Sequence, residues 1–250
     1  MSSVPPQTDI GFPPLVIEAL AHCKPASQLA RKIPARTVGE SCSRFGVCCA
    51  AKGITYRLAR RLGGVQVGHV LVQDITELRA TPTSAAGLDY RWLTADEVRD
   101  YAADRANDLD AAMASSLKEQ DNYCFAALDG PVLANYSWYA LGSIQREHSL
   151  GAGLSFPNDT VYFYKAYTRP EYRGRGLHPT ALRIAASFFA QHSISRLVAI
   201  VEYANWASLR SHAKLGFRSA GRFVKVGGNQ PRFERYPQLA ESLGIRFGNN

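Results

Sequence analysis

One stretch constrains the fold of this chain more than any other: Tyr167-Thr-Arg-Pro-Glu-Tyr-Arg-Gly-Arg-Gly-Leu-His-Pro-Thr-Ala-Leu182. The residues before it, Thr160 to Thr168, predict a strand. The residues after it, Pro179 to His192, place Leu182, Ala185, Ala186 and Phe189 on one face of a helix. A strand that feeds a helix through a short basic loop points to an α/β arrangement. Gly174 and Gly176 let the loop backbone come close to a bulky anion. The first N–H groups of a helix have no internal partners and lie at the positive end of its dipole. Such a loop can cradle a pyrophosphate, with Arg173 and Arg175 adding charge-assisted bonds. The same stretch also suits a plain surface turn with incidental arginines.

The flanking pattern extends the argument. Residues 43–62 allow a helix through Phe45, Cys48, Cys49, Leu58 and Leu62, closed by Gly63-Gly64. Val65 to Val72 alternates like a strand. Thr81 to Gly87 is turn-rich and reads as a linker. Tyr90 to Leu93 is a strand. Thr94 and Glu97 form a capping box that opens a helix to about Leu117. Tyr123 to Leu128 and Pro131 to Leu141 pair across a hairpin turn at Asp129-Gly130. Arg196 to Glu202 is a strand, Trp206 to Lys214 a helix, and Ala220 to Val226 a last strand. This order predicts an α/β (α+β) fold: a mixed sheet with antiparallel strands first, then a parallel pair joined by a helical crossover.

A second segment follows about 30 residues after the glycine loop: Val201-Glu-Tyr-Ala-Asn-Trp-Ala-Ser-Leu-Arg-Ser-His-Ala-Lys-Leu-Gly-Phe217. Asn205 suits an N-cap and Gly216 a helix end. Arg173-Gly-Arg-Gly176-Leu-His178 after a Pro-Glu-Tyr turn, then Asn205, Ser208 and Leu215-Gly216-Phe217, together resemble the GNAT superfamily of N-acetyltransferases. The resemblance is specific over residues 160–217 and looser over 88–227. It implies a splayed parallel pair and acetyl-CoA, or another acyl-CoA, as co-substrate. The pyrophosphate is then expected on the N–H groups from Arg173 through Gly174, Arg175, Gly176 and Leu177 to His178. The pantetheine arm is expected to pair like an extra strand with Ala166, Tyr167 and Thr168. Asn205 and Ser208 are expected at the cofactor, with Asn205 contacting the arm or holding the strands apart.

The resemblance also implies direct attack of an amine on the thioester, with a base for its proton and an acid for the thiolate. Many members carry a tyrosine seven residues after the asparagine as that acid; here the position is His212, which can donate a proton or simply pack. The base position in the strand before the cofactor loop is Tyr162. A glutamate five before the asparagine, used by ribosomal-protein acetyltransferases of this family, is replaced here by Ile200. Glu202, two residues on, shares its strand face and is the expected base, or else a surface glutamate. His178 stands where the family has glycine or alanine. Tyr162 and Tyr164 share one strand face, opposite Phe163, and either line an acceptor cleft or pack. Trp138 and Tyr139 are open in the same way.

Composition narrows the function classes. The chain has 250 residues, 46% of them hydrophobic and 20% charged, which excludes collagen-like and wholly disordered readings. No run reaches the roughly 18–20 apolar residues of a membrane helix, and the first residues do not read as a secretory signal. The formal charge of +8 favours anionic partners without naming them. Cysteines stand at 23, 42, 48, 49 and 124, an odd count without CxxC spacing, so reduced thiols, a cytoplasmic location and no metal site are expected. The expected division is a Pro-rich mobile arm at 1–40, a helix–strand extension at 41–87, an acyltransferase domain at 88–227 and a tail at 228–250. A chain beginning near Ser84 is expected to fold alone. The expected activity is transfer of an acetyl group from acetyl-CoA to a primary amine of a small-molecule or protein acceptor, with a homodimer open. A catalytically weak acyl-CoA-binding protein and an aminoacyl-tRNA-dependent transferase are the competing readings.

Overall fold

The computed structural model describes residues 47–79, 87–119, 121–227 and 231–248. The expected arm at 1–40 and most of the linker at 81–87 lie outside the described residues. The described residues form two compact units, divided between Val67 and Gly68, between Phe223 and Val224 and between Arg235 and Tyr236.

In the smaller unit, helix α1 (Val47–Gly63) buries Ala50, Gly53, Tyr56 and Ala59. They recur at every third residue along the helix. Leu58, one of the apolar residues that predicted this helix, is 45% exposed. Tyr56 with the small residues Ala50, Gly53 and Ala59, not the leucine, forms the contact face. The Val67 N–H donates to the Tyr56 hydroxyl at 3.3 Å. The end of strand β9 (Arg218–Val226) pairs antiparallel with β10 (Phe233–Arg235). Lys225 is 2% exposed and its ammonium meets Glu234 at 3.2 Å. A buried ammonium is tolerated only with such a partner.

The larger unit is built on a sheet in the order β9-β1-β8-β7-β4-β3-β2. Its strands are β1 (Gln66–Asp74), β2 (Asp89–Trp92), β3 (Asn122–Asp129), β4 (Val132–Leu141), β7 (Thr160–Thr168), β8 (Arg196–Glu202) and β9. The β7–β8 pair is parallel; the β1–β8, β2–β3, β3–β4 and β4–β7 pairs are antiparallel. The expected mixed α/β fold is present. Strand β1 lies inside this sheet, aligned from Gly68 opposite Glu202 to Asp74 opposite Arg196. Residues well before position 88 therefore belong to the sheet. A Cβ on Gly68 would sit 2.3 Å from the Phe223 ring, so the position requires glycine. A small second sheet joins β5 (Ser143–Ile144), β6 (Leu154–Ser155) and β11 (Arg246–Phe247).

Strand alternation sends side chains to two cores. On one face Tyr162, Tyr164, Trp138, Val198 and Phe223 gather with Ala240 and Ile245. On the other Val161, Phe163, Leu197, Ala199 and Tyr139 meet Ala181, Leu182, Ala185, Ala186 and Phe189 of helix α5 (Leu177–Gln191). Ile75 and Leu78 of the short helix α2 (Ile75–Arg79) join them. Ala240 lies in α7 (Gln238–Ser242), so part of the expected tail is core.

Two local expectations change. The capping box is present: the Glu97 N–H donates to Thr94 Oγ1 at 3.3 Å and the Thr94 N–H to Glu97 Oε2 at 2.9 Å. The helix it opens, α3 (Ala95–Ala102), does not run to Leu117. Asp104 caps a 3-10 turn (Arg105–Asn107), Asp108 takes φ +49°, and α4 (Met113–Glu119) starts anew. Aspartate side chains that bond nearby backbone compete with the helix. The hairpin pairs Asp129 with Val132, so Gly130 and Pro131 form its turn, one residue later than expected. Among the described residues no helix is long and apolar enough to cross a membrane.

Candidate active site

The parallel pair separates. Strands β7 and β8 stay in register from Thr160–Arg196 to Phe163–Ala199, yet β7 runs on to Thr168 and β8 to Glu202. The sheet is thus split beyond Phe163. At the same point β7 bulges: Trp138 faces Tyr164 and Tyr136 faces Tyr167, so Lys165 and Ala166 oppose Ser137 alone. Lys165 takes φ +40°. A bulge inserts a residue and bends its strand. Residues 166–168, expected to pair with a pantetheine arm, lie on the part of β7 beyond its last β8 pair. Asn135 Nδ2 donates to the Tyr167 carbonyl at 2.7 Å and to Thr168 Oγ1 at 2.8 Å, and Arg173 Nε donates to the Thr168 carbonyl at 3.0 Å. Each of these two carbonyls thus already accepts one side-chain hydrogen bond.

From Thr168 the chain enters a 3-10 turn (Pro170–Tyr172) and reaches α5. The Arg173 N–H donates to the Pro170 carbonyl at 3.3 Å, so the turn consumes it and the expected amide cradle starts one residue later. Gly174 and Gly176 take φ +79° and +75°, a conformation that favours glycine. A Cβ on either would meet nothing within 4 Å, so the loop presents open backbone. Gly176 caps α5 without a side-chain bond. The N–H groups of Gly174, Arg175, Gly176, Leu177 and His178 have no backbone acceptor among the described residues. The guanidinium of Arg173 lies over the Tyr167 ring at 5.8 Å and that of Arg175 over Tyr172 at 5.0 Å. A groove of about 430 Å³ runs past Arg175, Gly176, Thr180, Arg183, Ser211 and Lys214. Free amides, two left-handed glycines and a basic groove fit a phosphorylated ligand.

Helix α6 (Trp206–Lys214) begins as expected. Asn205 Oδ1 accepts from the Ser208 N–H at 3.1 Å, so the asparagine caps the helix. His212 is 5% exposed and packs on Phe163 and Phe217, with ring centroids 5.7 and 4.8 Å away. Its Nδ1 lies 2.8 Å from the Ser208 carbonyl. A carbonyl only accepts, so Nδ1 carries the proton. Burial holds the imidazole below its ordinary pKa, hence neutral. Nε2 is then a lone pair, buried without a partner. For the expected role as acid, this tautomer leaves Nε2 without a proton to give. His178 stacks on Phe163 at 5.6 Å, and burial lowers its pKa to about 4. Its Nδ1 is likewise buried without a partner. The histidine in the cofactor loop therefore turns toward the core and does not crowd the loop.

The opposite face of the split carries other chemistry. Tyr162 and Tyr164 stack at 5.7 Å and are 1% and 6% exposed, so they pack and do not line an open cleft. Trp138 and Tyr139 are fully buried as well. Tyr164 donates to Asn122 Oδ1 at 3.2 Å. Glu202 follows Val198 and Ile200 by twos and so shares the face of these tyrosines, while His212 lies on the face of Phe163. The expected base and acid thus stand on opposite sides of the split strand pair. The sequence reading missed His148, in the connection between β5 and β6. Its ring lies 5.5 Å from Tyr164, its side chain is 25% exposed, and its carbonyl accepts from the Tyr162 hydroxyl at 3.3 Å. No motif surrounds it; only contact across 14 residues reveals it. Cys124 is buried and its thiol is pushed up by burial, so it is unreactive. Among the described residues no cluster of three or more metal-ligating side chains occurs.

No curated protein matches the chain. Among solved structures, an N-acetyltransferase from Kribbella flavida is 16% identical with a TM-score of 0.45, covering 68% of this chain and 61% of its own. A GNAT-family acetyltransferase from Colwellia psychrerythraea is 15% identical with a TM-score of 0.45, covering 65% and 56%. A tandem GNAT protein from the clavulanic acid biosynthesis pathway is 15% identical with a TM-score of 0.47, covering 72% and 69%. The chain spans 62%, 59% and 64% of the length of three further solved chains that it resembles. The family model described as an acetyltransferase (GNAT) domain matches residues 74–218, more than half of the 250 residues, and the chain belongs to the GNAT acetyltransferase superfamily.

Proposed function

We propose that the chain transfers an acetyl group from acetyl-CoA to a primary amine by direct attack, as a soluble enzyme of the cytoplasm. One observation carries the reading: strands β7 and β8 part before a loop whose amides from Gly174 to His178 have no backbone acceptor among the described residues. Residues 174–178 would hold the pyrophosphate, and Arg173 and Arg175 can swing to it because both are exposed. The groove beside Arg183 and Lys214 would take further phosphate charge. Bound there, acetyl-CoA supplies an activated thioester. The bulge at Lys165–Ala166 would set the strand edge against the acyl arm, and Asn205 and Ser208 hold the start of α6 beside the split. Glu202 stands on the face from which an amine can enter, where its carboxylate draws a cation. Positioning of amine against thioester then accounts for much of the rate.

The neutral His212, with its proton on the Ser208 side, favours a second reading, a slow enzyme or an acyl-CoA-binding protein. A mass-spectrometric screen of amine acceptors with acetyl-CoA and longer acyl-CoAs decides between them. Acetylated product with release of CoA supports the enzyme. Binding of acetyl-CoA without any acylated product supports the second reading, and no binding overturns both.

A further inference from the structure

We propose that His148 is the catalytic base that takes the proton of the attacking amine, a role that rests on the acyl-transfer reading above. His148 leaves the core on the same sheet face as Glu202, beside the first residue of β7 that has lost its β8 partner: its ring is 5.5 Å from Tyr164. The next residues, Lys165 and Ala166, form the bulge at which an acyl arm lying along 166–168 would end. The side chain is 25% exposed, open to an incoming amine, whereas His212 at 5% is closed to one. The backbone of His148 is fixed because its carbonyl accepts from Tyr162.

The surroundings keep the imidazole in its proton-accepting form. Partial burial lowers its pKa, Glu147 raises it, Lys165 lowers it and Asp110 raises it. Glu147 Oε1 lies 3.6 Å from Nε2. The hydroxyls of Tyr162 and Tyr164 are bonded to the His148 carbonyl and to Asn122. Lys165 itself donates to Met113 Sδ at 3.5 Å, a weak acceptor that leaves its charge uncancelled. In the step, the amine nitrogen bonds the thioester carbonyl carbon and the carbon–sulfur bond breaks. The amine proton passes to His148, which then delivers that same proton to the departing thiolate, directly or through water, so that amide and CoA thiol leave and the neutral imidazole is restored. An imidazole whose pKa is near or below neutrality suits this task.

The test uses the full chain and the unreactive analogue acetonyl-CoA. Imidazole NMR resonances, with His148 assigned through His148→Gln, are followed against pH and against the analogue, while calorimetry measures binding. His148 should titrate below an ordinary imidazole. Its signals should move on saturation, and Lys165→Met should raise its midpoint because a nearby cation is removed. With an amine that turns over, His148→Gln should lower kcat by about 10²–10⁴-fold with KM for acetyl-CoA unchanged. The acidic limb of wild-type turnover should move to higher pH in Lys165→Met. Analogue binding without any change at His148, or wild-type turnover in His148→Gln, overturns the proposal and leaves the acyl-transfer reading standing. Absence of analogue binding overturns that reading and the proposal with it.

Discussion

A chain shortened to begin at Gly87 should not fold cooperatively. It would lack β1, which lies between β8 and β9 and aligns seven residues with β8. It would also lose Val70, Leu71, Ile75 and Leu78, which are between 0% and 7% exposed and belong to the two cores. Burial of a large aliphatic side chain is worth roughly 1.5–3 kcal/mol, so these four contribute roughly 6–12 kcal/mol. A domain of this kind has a total stability of about 5–15 kcal/mol. The loss is of the same size as the whole, before the unpaired edges of β8 and β9 are considered, and such edges aggregate. Circular dichroism on heating, with an amide NMR spectrum of the soluble fraction, would report it. The expected result is no cooperative melt and collapsed amide dispersion. A sharp melt with native dispersion would show that β1 is an accessory strand and that the burial argument is wrong.

Other expectations are local. Gly176→Ala forces a side chain into φ +75° where the added Cβ meets nothing, so it should cost about 1–2 kcal/mol of stability from backbone strain alone, read as a lower melting temperature. Its effect on acetyl-CoA affinity should exceed that strain; equal losses would remove the loop from the binding site. Thr94→Ala breaks the capping box and should cost about 1 kcal/mol in denaturant unfolding. Glu97 is held at about 2, chiefly by its bond to Arg91, so it stabilises the fold above the usual carboxylate value of 4.5 and that help fades as pH falls toward 2. The stability difference between wild type and Glu97→Gln should therefore shrink over that window. Glu234→Gln removes the charged partner of buried Lys225 and should cost about 1.5–3 kcal/mol; an unchanged melt would mean that Lys225 is held by other groups.

The sequence displayed most of what local rules control. Strand β8 and helix α6 match their predicted bounds because alternation, Asn205 and Gly216 mark both ends. The elements after residue 230 are two to five residues long, too short for any period, and only Ala240 and Ile245 are fully buried there. The break before Leu117 hung on Asp104 and Asp108, whose turn chemistry competes with helix propensity. At the site, the glycine loop and its arginines were legible from spacing. The loss of the Arg173 N–H to Pro170 and the tautomer of His212 were not, since each depends on one carbonyl in space. His148 was invisible because it lies in a connection, and its neighbours Tyr162 and Tyr164 come from strand β7, 14 and 16 residues on.

Calorimetry of acetyl-CoA against wild type and the double variant Arg173→Glu with Arg175→Glu tests the central claim most directly. Two charge-assisted contacts at the mouth of the amide loop are expected to contribute about 1–3 kcal/mol. Binding to wild type, weakened about 5- to 150-fold in a double variant that melts normally, is the predicted result. Equal affinity in the two proteins, or no binding to wild type, would contradict the assignment of residues 174–178 and the split strand pair as the acyl-CoA site.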